Sequence, residues 1–217
     1  MKTIANLPRK LLSKSMTLSN IVSPYICHKL ERFHQGDILR DIELVEWAYK
    51  EEEEGGKKIA LRKRNLEYVI IITQECDLEQ DVKNRNDPEI ANHDKFMQSI
   101  LLIPAYPAEK VKLGIHLEEV RMQQFGSKQW KLLQENRDYR YHYLVDHPEY
   151  QVPELVADFK HYFTIPRDII YAEYQNPEHY LTSLSELFRE NLSIRFAQYL
   201  ARIGLPEFTT RVQPVES

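Results

Sequence analysis

The run Tyr68-Val69-Ile70-Ile71-Ile72-Thr73 constrains this chain more than any other segment. All six residues are β-branched or aromatic, and no polar residue alternates with them. That pattern predicts a strand buried on both faces at the centre of a sheet. It is far shorter than the ~20 apolar residues that span a bilayer. The run stops abruptly at Gln74-Glu75-Cys76-Asp77, so the sheet delivers four polar side chains at one strand end.

Around this strand the sequence predicts an α+β fold. Gln35-Gly36-Asp37 reads as a turn, and Ile38 to Trp47 as one strand or two short ones. Glu51 to Glu54, Gly55, Gly56, Lys57 and Lys58 read as a solvated hairpin loop. Residues 81–94 carry Asn84, Asn86, Asp87, Pro88 and Asn92 and predict an exposed loop, followed by a strand over Ser99 to Ile103. Aromatic-rich strands are expected over Tyr139 to Val145 and Phe159 to Ile165. Ser183-Leu184-Ser185-Glu186 has the form of a capping box. It precedes apolar residues at helical spacing, Leu184, Leu187, Phe188, Leu192, Phe196, Tyr199, Leu200 and Ile203, with Gly204 as the stop. The expected organisation is an N-terminal helical or irregular extension over 1–34, a β-barrel-like core over 35–165, a C-terminal helical layer over 166–206 and a tail over 207–217.

At 217 residues the chain supplies one core with decorations. A formal charge of -4 argues against broad nonspecific nucleic-acid binding, although a local basic patch stays compatible with it. Two cysteines, Cys27 and Cys76, make no disulfide framework and point to a reducing cytoplasm. No secretory signal is legible near the N-terminus, where Lys2, Arg9, Lys10 and Lys14 break the apolar pieces.

Each chemistry-bearing constellation has a simpler reading beside it. Cys76 next to Asp77 has the composition of a nucleophile, but a thiolate needs a cationic neighbour, and Glu75 and Asp77 work against one. The simpler reading is a small buried hydrophobe with Asp77 capping the next turn. Cys27-His28, Cys76-Asp77 and one of His34, His93 or His116 contain zinc-type donors, yet no pair has a recognised close spacing, and no metal or cofactor is expected. Asp158-Phe159-Lys160 has the Asp-x-Lys form of a restriction-type nuclease, with Asp146 or Glu154 as the upstream acid. Its simpler reading is a strand with Phe159 inward and its neighbours outward. Arg189, Arg195 and Arg202 are suited to phosphate or an acidic partner, and a solvated helix face explains them equally well.

The order Gly36-Asp37-Ile38, charged hairpin, Tyr68 to Thr73 and Ser99 to Ile103 resembles the small SH3-like barrel of MazF/PemK-type toxins. With Thr73-Gln74-Glu75-Cys76-Asp77-Leu78 and Arg202-Ile203-Gly204-Leu205-Pro206 added, the chain looks more like a poorly characterised bacterial family related to that barrel. MazF toxins are mRNA-cleaving endoribonucleases that use an Arg just before the central strand and a Ser or Thr at the end of the next. Here Leu66-Glu67-Tyr68 replaces the Arg lead-in, with Arg64 the nearest candidate, and Pro104 stands where the hydroxyl is expected. Both departures point away from RNA cleavage.

The resemblance therefore implies a noncatalytic binding or regulatory module of a bacterial stress, toxin-antitoxin or phage-defence system. Its expected partner is a protein, with nucleic acid as the alternative and no membrane. Binding falls to Arg64, Thr73, Gln74, Glu75, Asp77 and Arg202, helped by the loop 81–94. A competing expectation is a metal-dependent nuclease or MazF-like endoribonuclease using Glu75, Cys76, Asp77, Asp158 and Lys160. A third is a structural subunit that docks through its C-terminal helix.

Overall fold

A computed structural model describes residues 23–28, 31–51, 56–117, 120–174 and 176–202. In chain order they form β1 (Tyr25–Ile26), β2 (Asp37–Glu51), β3 (Lys57–Ile71), α1 (Glu75–Arg85), β4 (Ser99–Pro107), α2 (Ala108–Leu113), α3 (Ser127–Gln134) and β5 (Tyr141–Leu144). Next come β6 (Leu155–Asp158), β7 (Phe163–Pro166), α4 (Arg167–Tyr174), β8 (Tyr180–Leu184) and α5 (Glu186–Leu200). The architecture is mixed α+β, built on an open antiparallel sheet of eight strands in the order β1-β8-β2-β3-β4-β6-β5, with β7 also paired to β4.

The Tyr68 to Ile71 part of β3 is the expected interior strand, hydrogen-bonded to β2 on one side and β4 on the other. Its alternate residues feed two cores. Ile70 and Ile72 join Ile38, Ile103, Leu155, Phe159, Leu192 and Phe196 on the face covered by α5. Val69 and Ile71 join Leu39, Leu102, Leu78 and Ile170 on the face covered by α1 and α4. Continuous hydrophobicity is what a strand between two such layers requires. A third cluster, with Val111, Trp130, Leu133 and Val156, seals α2 and α3 against β5 and β6.

The sheet path ends at β1 and β5, and one side chain of β1 reaches the end of β5. The Tyr25 hydroxyl donates to the Val145 carbonyl at 2.6 Å. From α5, the Arg195 guanidinium donates to the carbonyls of Asp138 and Tyr141 at 2.6 and 2.8 Å and to that of Asn136.

Several expectations are corrected. Of the two readings of Ile38 to Trp47 the single strand holds, within 15 residues, but the expected hairpin loop is shorter, because Glu51, Lys57 and Lys58 belong to strands; residues 52–55 lie outside the described residues. The expected loop over 81–94 begins with the last turns of α1, a helix whose buried residues are only Leu78 and Asp81 and which therefore shows no apolar period. The exposed loop starts at Asn86. Phe159 to Ile165 is a 3-10 turn followed by β7. Ser183 and Leu184 are strand residues of β8, paired to β1, so the expected capping box is a strand end followed by Ser185 as N-cap. The segment 166–206 thus contributes a strand to the sheet as well as helices, and 1–34 contributes β1. Of the expected helical stripe, Leu192 and Phe196 are buried, whereas Leu187 and Leu200 are exposed; Ile203 and Gly204 lie outside the described residues.

The longest feature projects from this body. β2 pairs with β8 only over Asp37 to Leu39, and β3 with β4 only over Tyr68 to Ile71. Beyond Asp41, whose φ of 57° lies in the left-handed region, the two strands continue as a paired ribbon. One face carries Trp47 opposite Leu61 and Tyr49 opposite Ile59. Trp47 is 76% and Tyr49 75% exposed, and Val45, Ile59 and Leu61 are exposed beside them.

Candidate functional site

The strand-end corner is organised by Glu75, the first residue of α1. Its Oε1 accepts from Arg32 Nη2 at 2.7 Å and lies 2.9 Å from His34 Nδ1, and its Oε2 accepts from the Gln35 amide at 2.8 Å. Arg189 from α5 adds a fourth contact at 3.5 Å. Burial pushes this carboxyl up, but the hydrogen bonds from His34, Arg32 and Gln35 outweigh it and hold the group at about 2. The turn predicted at Gln35-Gly36-Asp37 is what presents these donors. Gly36 takes φ of 90° and donates to the Ile71 carbonyl at 2.8 Å, which fastens the turn to the end of β3. Buried Asp37 accepts from the His34 amide at 2.8 Å and lies 2.7 Å from His28 Nε2.

A carboxylate with this many donors is a poor proton acceptor near neutral pH. Glu75 therefore pins the turn, α1 and α5 together. Thr73 is buried and exchanges hydrogen bonds with Leu101, its Oγ1 accepting from the amide at 2.7 Å. Gln74, Cys76 and Asp77 are the exposed part of the corner. The expectation that Cys76 is buried is corrected: its thiol is open to solvent, 3.8 Å from Asp77 Oδ1, and Cys27 is exposed too.

Asp158 and Lys160 do not join Glu75. Asp158 is fully buried at the end of β6, gripped by Arg140 at 2.8 and 2.6 Å and lying 2.8 Å from His161 Nδ1. Its side chain also accepts from the Lys160 amide at 3.0 Å and so caps the 3-10 turn, while the Lys160 side chain is exposed. The outward-facing Asp of the simple strand reading is therefore corrected. Burial pushes the Asp158 carboxyl up, yet Arg140 and His161 hold it at about 2. Glu154 accepts from the Tyr143 hydroxyl at 2.5 Å and Asp146 is exposed, so neither completes an Asp-x-Lys centre. Arg202 lies over the Tyr199 ring at 4.2 Å, at the end of α5. Among the described residues no group of three or more His, Cys, Asp or Glu side chains converges as a metal site.

Sequence reading missed a cavity of about 400 Å³ beside β3, lined by Arg64, Tyr106, His116, His161 and Lys110 among others. Of the predicted binding residues only Arg64 reaches it. The other lining residues named come from β4, α2, the loop after α2 and the turn after β6, and no local pattern links them. Among the described residues no helix is long and apolar enough to cross a membrane. No protein-family model matches the chain, and no curated protein or solved structure matches it.

Proposed function

We propose that this chain is a noncatalytic binding module with a MazF-like barrel core, serving a bacterial stress or phage-defence system and engaging a protein partner. The observation that carries this reading is the internal neutralisation of Glu75 and Asp158. Glu75 is committed to Arg32, His34 and Arg189, and Asp158 to Arg140 and His161. Groups spent on one another in this way hold elements together, and none is left poised to transfer a proton. The barrel reading draws on the consecutive antiparallel β2, β3 and β4 and on the Tyr25 hydrogen bond that runs from β1 to the end of β5.

A protein partner is favoured over nucleic acid by the ribbon. Its exposed face is aromatic and aliphatic, with Trp47, Tyr49 and Ile59 around a shallow hollow of about 290 Å³. Clustered exposed apolar side chains of this kind mark protein contact surfaces. Cleavage of RNA and DNA with divalent metal should be absent from the wild type and unchanged in Asp77→Ala. Affinity capture from the native host should recover a partner that the Trp47→Ser, Tyr49→Ser protein loses. Robust cleavage abolished by Asp77→Ala overturns the proposal.

A further inference from the structure

The cavity beside β3 combines three properties that a merely structural hollow does not need. First, it holds polar atoms that are buried and without partners. Tyr106 and His116 are each 7% exposed, and among the described residues neither the Tyr106 hydroxyl nor either ring nitrogen of His116 meets a hydrogen-bond partner in suitable geometry. The nearby Lys110 carbonyl accepts from the Ile115 amide. The two ring centroids lie 5.0 Å apart, so the rings that carry these groups are neighbours. Buried polar atoms without partners are costly, and the folded state keeps few of them.

Second, the cavity has a cation with donors to spare. Lys110 is held by Glu67 and Lys63 by Glu43. Among the described residues Arg64 reaches only Glu46, at 3.9 Å, and Glu46 is already gripped by Arg62; the buried Arg64 Nε atom meets no partner among them. A planar guanidinium of this kind suits the oxygens of a phosphate. Third, Ile115, Leu117 and Val120 give the same cavity an apolar wall. Its volume lies in the range of small-molecule sites, which pair an apolar lining with a few placed polar groups.

We infer that this cavity binds a 5′-mononucleotide. Arg64 and the Tyr106 hydroxyl take the phosphate, His116 supplies a further hydrogen bond, and the Ile115, Leu117 and Val120 wall covers the base. The site uses none of the ribbon's apolar face, so it stands whether or not that face binds a protein.

Calorimetric titration of the full chain with each of the four 5′-ribonucleoside monophosphates tests this, with adenosine and inorganic phosphate as partial ligands. At least one mononucleotide should bind, with adenosine and phosphate each at least about tenfold weaker because each forfeits one half of the site. Arg64→Gln should weaken mononucleotide binding about tenfold or more. Tyr106→Phe removes an unpartnered hydroxyl, so it should leave the melting temperature of the free protein unchanged or higher while weakening binding several-fold. That pairing of effects is one that a purely structural tyrosine does not give, and it holds even if Arg64→Gln fails to fold. Absence of binding by all four mononucleotides, phosphate binding as tightly as they do, or undiminished affinity in Tyr106→Phe would each overturn the assignment. So would Arg64-dependent binding of a 5′-phosphorylated RNA oligomer more tightly than any mononucleotide.

Discussion

Arg140 grips Asp158 with two hydrogen bonds, one to each carboxylate oxygen: Nε to Oδ1 at 2.8 Å and Nη2 to Oδ2 at 2.6 Å. Asp158 is fully buried and Arg140 only partly so. The pair ties the segment before β5 to the end of β6. Removing the cation alone strands a buried charge, which typically costs more than the pair contributes.

Arg140→Met should therefore destabilise the fold by about 3–5 kcal/mol, and adding Asp158→Asn should restore much of the loss. Urea denaturation of the single and double variants measures both. A single-variant cost under about 1 kcal/mol would mean that Asp158 is less committed than its geometry indicates.

Acid should weaken the protein through Glu75 and Asp158 together. Their ordinary values are 4.5 and 3.8, and in the fold both sit at about 2. A depressed carboxyl contributes stability that is complete above its unfolded value and is lost as pH falls toward its folded one. Denaturation midpoints should accordingly drop between about pH 4.5 and pH 2, and Glu75→Gln should flatten part of that slope.

His142 adds a second acid dependence at higher pH. It is buried on β5, and burial, reinforced by the nearby Arg195 charge, lowers it from 6.5 to about 3. The unfolded imidazole takes up a proton below 6.5 that the folded one refuses until about 3, so stability falls as pH drops through that window. His142→Leu should remove this component and leave a shallower slope between about pH 6.5 and 4.5, the part that buried His116, also lowered from 6.5 by burial, supplies. Melting curves across that range report it, and an unchanged slope would locate the proton elsewhere.

Phe196 and Leu187 occupy the same helix with opposite consequences. Phe196 is buried against Phe159, ring centroids 5.6 Å apart, whereas Leu187 is mostly exposed. Phe196→Ala should cost about 3–5 kcal/mol, and Leu187→Ala should stay within about 0.5 kcal/mol. Comparable costs for the two would show that α5 buries a different face.

Elements whose signal is local were legible in the sequence. Tyr68 to Ile71 carries a burial pattern complete in itself, and the Gly36 turn depends on one residue that tolerates positive φ. α1 was misread because its only buried positions are Leu78 and Asp81, and the latter is polar, satisfied by Arg85 and by Arg167 from far along the chain at 2.8 Å each. β8 was misread because Ser183 and Ser185 mimic helix-capping chemistry, although Ser183 pairs with Ile26 and Asp37 in the sheet. The candidate site was legible by the same rule. Glu75 stood out at a strand end, but its donors Arg32 and His34 lie more than forty residues earlier and Arg189 comes from α5. Tyr106 and His116 had no signal at all, because what marks them is the absence, among the described residues, of a partner in three dimensions.

The ribbon formed by β2 and β3 beyond Asp41 has a thermodynamic consequence of its own. A two-stranded hairpin without further neighbours is marginal in water, so its outer half should fray and exchange amide hydrogens long before the rest of the molecule opens. Remodelling that tip leaves both main cores undisturbed. Sequence change and induced fit there come free of any penalty to the cooperative unit beneath.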